Sequence, residues 1–375
     1  MTLVYWFLFA AVVFTCIYGL FYLAGAIRYF TGFKKYAAGY SGDCLFSIVI
    51  PARNEDKHIA DCLTSIINQQ YPEENFEIIV VDDESTDKTN QTVSDFIRKH
   101  PDYSIRLISL RKNNHKKKGA LTEGIANAKH DTILTRDADT VCGSEWLSSI
   151  AGYIKKKCPD LLICPVNVKS DESFLSLFQE MENVVLQSSG GGMALMGFPY
   201  LCNGANLMFS KKKFDELKGY AGSLHLSSGD DIFLLEKFRR DKRTNIQFLP
   251  CKDSAVTTFT MTHWKSLIQQ KIRWAGKFRL SVNPVNTASA ILFTLTHFLV
   301  FCALIILLIN EAYLFSLYLI LLKTTIDYVI LILSFQQMNM KRLVILPFIS
   351  AIIPFYILYV FAGVTFMSKQ WKGRK

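Results

Sequence analysis

An α/β domain built on a mostly parallel sheet, flanked by membrane-spanning helices at its N- and C-terminal ends, is the fold this 375-residue sequence predicts. Three observations predict it. Short β-branched runs alternate with amphipathic stretches through the first half. Long uncharged apolar stretches sit at both ends. Acidic clusters follow the ends of several apolar runs.

Residues 3–27, 288–309 and 343–366 contain no Asp, Glu, Lys or Arg, and residues 312–335 contain only Lys323 and Asp327. Each exceeds or matches the roughly 20 apolar residues a helix needs to cross a bilayer. Residues 1–27 therefore read as an N-terminal transmembrane helix and residues 286–375 as about three further spans. A cleaved signal peptide fits the N-terminus less well, because the apolar run is long and no basic region precedes it. Arg28, Lys34 and Lys35 directly after this run place the following block in the cytoplasm. Lys369, Lys372, Arg374 and Lys375 would then lie outside after three spans, so a re-entrant or interfacial C-terminal segment stays open as an alternative. The layout suggests an integral protein of a bacterial inner (plasma) membrane.

Residues 46–50 form a buried β-branched run ending at Pro51, and residues 56–70 carry a helical stripe of Ile59, Leu63, Ile66 and Ile67. Residues 76–81 repeat the strand, 82–87 a polar turn and 88–99 a helix. Residues 105–110, 118–129 and 132–135 continue as strand, helix and strand. Such alternation predicts a parallel sheet covered on both faces, with ligands at the carboxyl ends of the strands. Gly190-Gly191-Gly192 reads as a loop. The formal charge of +10 lies largely in residues 111–118, 211–213 and the flanks of the apolar stretches, which suits a bilayer surface and not nucleic acid. Nine cysteines without a C-x-x-C pair give neither a disulfide framework nor a zinc site.

Four clusters carry chemistry. In Asp137-Ala138-Asp139, an extended backbone would project both carboxylates to one side. A hard divalent ion takes one or two carboxylates plus phosphate oxygens. A lone D-x-D also describes a solvated turn; its place after a strand and downstream of Asp82-Asp83 favours the ion. Gly229-Asp230-Asp231 precedes an apolar helix, where an acid is either an N-terminal cap or a base for a hydroxyl nucleophile. Lys117 lies in a basic stretch that suits phosphate or solvent. Gln270, Arg273 and Trp274 occupy positions i, i+3 and i+4 and share one helical face. A guanidinium grips diphosphate in a forked geometry, and an indole offers a flat surface to a sugar ring. An interfacial anchor helix would use the same residues.

Taken in order, Val80-Val81-Asp82-Asp83-Glu84-Ser85-Thr86-Asp87, Asp137-Ala138-Asp139, Gly229-Asp230-Asp231 and the Q-x-x-R-W run resemble the membrane-bound family 2 glycosyltransferases. That group includes cellulose, chitin and hyaluronan synthases and ceramide glucosyltransferases. Pro51-Ala52-Arg53-Asn54-Glu55 and Lys117-Lys118-Gly119-Ala120-Leu121-Thr122 are similar to its nucleotide loops, although Lys116 and Thr122 depart from the G-K-x-x-A-L-N pattern. Asn203-Gly204-Ala205-Asn206 and Lys218-Gly219-Tyr220 resemble its acceptor-side elements.

The resemblance implies a GT-A, Rossmann-like sandwich in residues 28–262 and an interfacial amphipathic helix in 263–285. It implies a UDP-sugar donor held by Glu55, Asp83 and Lys117, and Mg²⁺ or Mn²⁺ on Asp139 supported by Asp137. Asp231 becomes the general base beside Asp230, and Gln270, Arg273 and Trp274 hold the diphosphate and the acceptor end. The expected reaction is inverting transfer of a hexose or N-acetylhexosamine to a hydroxyl of a membrane lipid or lipid-linked glycan. A processive synthase extending a polysaccharide is the rival, and an inactive nucleotide-binding scaffold is the rival of another class.

Overall fold

The computed structural model describes residues 2–33, 44–110, 116–224, 226, 229–278, 283–309, 313–335 and 340–366. Lys34, Lys35, residues 111–115 of the basic run and the four tail cations lie outside them. Two compact units emerge: Phe33–Lys169 with Pro199–Phe259, and Met1–Gly32 with Ser170–Phe198 and Thr260–Lys375.

The first unit holds the expected mostly parallel sheet. Its strands are β1 (Phe46–Ala52), β2 (Phe76–Asp82), β3 (Ile105–Ser109), β4 (Thr132–Thr135), β6 (Leu161–Ile163), β8 (Leu207–Ser210) and β9 (Ile246–Phe248), in the order β3-β2-β1-β4-β8-β6-β9. β1 pairs in parallel with β2 and β4, while β8 runs antiparallel between β4 and β6. β2 is buried at every position, as both faces of a parallel strand should be. Helices α2 (Ile59–Ile67), α3 (Thr89–Lys99), α4 (Lys116–Ala126) and α5 (Trp146–Lys157) connect the strands. α2 starts three residues later than the sequence suggests, because the Glu55 carbonyl accepts the His58 and Ile59 N–H groups in a turn. Gly124 lets α4 lie against β1, since a methyl there would collide with Val49.

One buried acid ties neighbouring strands to each other and to the loop after α4. Glu77 accepts from the Ser47 hydroxyl and the Lys129 N–H, both at 2.6 Å, and pairs with Arg106 at 2.6 Å. Burial alone would raise its pKa, but these donors outweigh it and hold the carboxyl below its ordinary range.

A smaller sheet joins β5 (Thr140–Cys142), β10 (Val256–Phe259) and β7 (Val166–Lys169) in the order β5-β10-β7. α7 (Lys211–Glu216) and α8 (Asp230–Arg240) complete this unit. The order of the large sheet reverses direction between β1 and β4, which is where ligands gather in open α/β sheets.

The second unit contains α1 (Thr2–Gly32), α6 (Phe174–Leu195), α9 (Trp264–Phe278), α10 (Pro284–Ile309), α11 (Tyr313–Ser334) and α12 (Met340–Phe366). Four of these, over Val4–Gly32, Pro284–Ile306, Tyr313–Ser334 and Val344–Val364, are long and apolar enough to cross a membrane. The triple glycine is not the loop its composition suggests. Gly190, Gly191 and Gly192 are buried inside α6, and a methyl on Gly192 would land on the Gly25 carbonyl of α1. Between apolar helices, small residues serve close backbone approach, which here outweighs glycine's poor helix propensity.

Lys323 and Asp327 pair with each other inside α11. Tyr18 of α1 donates to Asp327 at 3.1 Å, and His297 of α10 meets the Lys323 ammonium at 3.0 Å. Three helices are thus joined around one buried ion pair.

Candidate active site

Three loops at the switch point come together because each follows a strand in the same parallel set. After β1, Asn54 adopts φ 53° and its side-chain oxygen accepts the Thr86 N–H at 2.8 Å, while its own N–H reaches Ser85 at 2.9 Å. The Glu55 N–H donates to the Thr89 hydroxyl at 2.7 Å, and Asp87 accepts from Asp56 and Thr89. The polar residues of the second loop therefore clamp the first. Asp82 caps its own turn through the Ser85 N–H, at 3.2 Å. Asp83 is buried beside Arg53, whose guanidinium lies 3.9 Å from its carboxylate and donates to its carbonyl at 2.6 Å. Arg53 had no assigned role in the sequence, although it lies within a loop singled out there.

The Asp137-Ala138-Asp139 segment is a turn between β4 and β5, not an extended run. The Thr140 hydroxyl donates to the Asp137 carbonyl at 2.8 Å and curls the backbone. Period-two alternation therefore does not orient these carboxylates. Arg136 braces the turn from beneath: fully buried, it donates to the Thr140 hydroxyl and carbonyl, to Ser65 and to Cys142, and it lies over the Trp146 ring. The signal for it was a cation directly after an apolar strand, where only a satisfied network tolerates a charge.

Lys117, from the first turn of α4, links two of the clusters. Its ammonium lies 2.7 Å from Asp137 and 3.0 Å from Asp230. Burial pulls its pKa down, but the two carboxylates outweigh that and hold it well above the usual lysine value, so it stays charged at any physiological pH. Asp230 is admitted by Gly204, where any methyl would approach its carboxylate to 2.6 Å. Asp231 is half-buried in the first turn of α8, and one of its oxygens accepts the Ile232 N–H at 2.8 Å. Gly229, at φ 86°, makes the sharp turn that precedes both acids.

Two motif elements prove structural. Asn206 is fully buried and spends its amide on Pro165, Ser254 and Trp146, so it faces no acceptor. Tyr220 is buried against Phe214, and burial with the nearby Asp230 charge pushes its phenol well up.

Among the described residues, no group of three or more His, Cys, Asp or Glu is poised to hold a metal. Asp137 and Asp139, both partly exposed, nonetheless fit a hard ion that completes its shell with phosphate oxygens.

Gln270, Arg273 and Trp274 lie on α9, in the helical unit. Within that unit, Lys271 pairs with Glu182 at 2.6 Å and sits 4.5 Å above the Trp274 ring. Arg342 grips Glu180 through two nitrogens at 2.7 and 3.1 Å.

Residues 47–217 match the family model described as glycosyl transferase family 2. A dolichyl N-acetyl-alpha-D-glucosaminyl phosphate 3-beta-D-2,3-diacetamido-2,3-dideoxy-beta-D-glucuronosyltransferase of Methanococcus voltae is 38% identical over 118 residues, 31% of this chain and 36% of that protein. A poly-beta-1,6-N-acetyl-D-glucosamine synthase of Staphylococcus epidermidis is 35% identical over 95 residues, 25% of this chain and 22% of that protein. The matched stretch thus spans about a third or less of these relatives. A mannosyltransferase from Pyrobaculum calidifontis, solved with GDP-Man and Mn²⁺, has the same fold: TM-score 0.56, 14% identity, covering 96% of this chain and 98% of that one.

Proposed function

We propose, from the match of residues 47–217 to the glycosyl transferase family 2 model and from the GT-A-like α/β fold, an inverting transfer of a hexose or N-acetylhexosamine from a UDP-sugar to a lipid or lipid-linked acceptor. The observation that carries this reading is Lys117 bridging Asp137 and Asp230. It gathers three sequence-distant motif residues at the strand rim, with a permanent cation where a diphosphate would lie.

Uridine binds along the clamped loops, with Asp83 accepting from the base and Glu55 near the ribose. Asp139, supported by Asp137, would hold Mg²⁺ or Mn²⁺, which supplies charge stabilisation to the departing diphosphate. Lys117 turns from its acids toward the phosphates. Asp231 takes the proton of the acceptor hydroxyl as its oxygen bonds to the anomeric carbon and the carbon–oxygen bond to UDP breaks. No covalent enzyme intermediate is involved. By motif, Gln270, Arg273 and Trp274 hold the diphosphate and the acceptor end. In this reading the α/β unit works on the cytoplasmic side of the membrane.

The acceptor assignment is supported by the Methanococcus voltae relative, whose name specifies a dolichyl phosphate-linked sugar. The Staphylococcus epidermidis polysaccharide synthase supports the processive alternative. Nucleotide release should be measured with UDP-glucose, UDP-N-acetylglucosamine, UDP-galactose and GDP-mannose, using native membrane extract as acceptor and Mg²⁺ or Mn²⁺ present. Release from one UDP-sugar with a single sugar in the organic phase is expected. Long chains would favour the processive reading, and no release from any donor would sink both.

A further inference from the structure

We propose that the outward face of the three-stranded sheet β5-β10-β7 binds a pyranose ring, with Phe259 as its platform. This deepens the transferase reading, because the ring would be the sugar of the acceptor.

Strand register sorts the residues of this sheet into two faces. Val256 pairs with Cys142 and Val166, and all three pack in or against the core. Side chains alternate along a strand, so Thr257 and Phe259 face the other way. Parallel pairing brings Asn167 beside Thr257 and Lys169 beside Phe259, and both partners are exposed. On the other flank Thr258 pairs with Thr140, and Phe259 and Asp139 each lie one residue beyond that pair, Asp139 in its turn.

Phe259 is 41% exposed, and its ring is held in place. The His58 imidazole stacks on it, with centroids 5.9 Å apart and planes at 24°. His58 follows Glu55 by three residues, so the aromatic pair adjoins the loop assigned to the nucleotide.

The chemistry of the face selects its occupant. A contiguous apolar patch of several hundred Å² marks a surface for a protein partner, yet the strand neighbours here are Asn167 and Lys169. A single aromatic ring edged by an amide and an ammonium, with a carboxylate one residue beyond the ladder, suits a ligand with one C–H face and a rim of hydroxyls. A pyranose has that shape. Continuity with Asp139 places such a ring beside the proposed reaction centre.

The test uses the full chain in lauryldimethylamine oxide, a detergent without sugar. Saturation-transfer NMR with cellotriose and with triacetylchitotriose reads ring binding, and calorimetry with UDP reads the nucleotide loops. Phe259→Ala should weaken trisaccharide binding about tenfold or more, the loss of one well-packed contact. Phe259→Trp should retain binding, and His58→Ala should weaken it less than Phe259→Ala. UDP affinity should stay within about twofold in all three, since none touches the proposed base contacts. Trisaccharide binding unchanged in Phe259→Ala, absent from the wild type, or lost only together with UDP binding would overturn the proposal. Sugar binding that persists when every donor fails the release screen would instead overturn the transferase reading and leave this surface standing.

Discussion

Two clusters, one in each unit, hold their charges in opposite ways. In the helical unit, Lys323, Asp327, His297 and Tyr18 are almost fully buried and satisfy one another across three helices. At the rim of the sheet, Lys117 is shared between Asp137 and Asp230, and side chains of both Lys117 and Asp137 remain partly exposed, at 22% and 33%. Charges that nothing else will solvate have to be paired completely. Charges at an open rim can exchange one partner for another. The first arrangement fits a structural joint, the second a binding site.

That contrast can be broken in four ways. The largest effect is expected at the rim: Asp231→Asn should lower nucleotide release at least about a hundredfold while UDP affinity is unchanged. Normal release would remove the rim's claim to chemistry. In the helical unit, Asp327→Leu should cost about 3–5 kcal/mol by leaving the Lys323 ammonium without its carboxylate. The double variant with Lys323→Met should recover most of that loss, measured by denaturation in detergent. A double variant as unstable as the single one would mean that the pair does more than neutralise itself.

A smaller effect is expected at the helix seam. Gly192→Val should cost about 1–3 kcal/mol through overpacking against Gly25. An unchanged melting temperature would show that the seam can spread. The smallest concerns Glu77, whose folded pKa is lowered. Its stabilisation is present above the usual carboxylate pKa, about 4.3, and fades as pH falls through the depressed value. Glu77→Gln should therefore lose about 1 kcal/mol near neutrality, with the gap to wild type closing below about pH 4. A gap that persists in acid would show that shape, not charge, is what matters there.

Strands and helices with sustained periodicity were legible from residue types alone. β2, α3 and β4 lie within a residue of their expected bounds, since their buried faces repeat at one period throughout. β5 has three residues and β7 and β10 four each, too few to show any period, so the small sheet was invisible. The acids of the rim were visible as clusters, but the Lys117 bridge was not, because it joins residues more than a hundred positions apart. Gly190–Gly192 misled because the same residue marks a turn in water and a tight seam between apolar helices. Asn206 resembled an acceptor contact, yet only burial reveals that its amide is already spent.

The Gly25–Gly192 seam also sets an order of assembly. Its second half is synthesised about 165 residues after its first, a wait of roughly ten to thirty seconds at 5–20 residues per second. During that interval α1, long and apolar enough to cross a membrane, is without the helix it will lie against, while strands β1 to β4 emerge from the ribosome. Assembly therefore depends on an α1 that stays competent while alone until α6 is made, and longer still for Tyr18, whose partner Asp327 follows on α11.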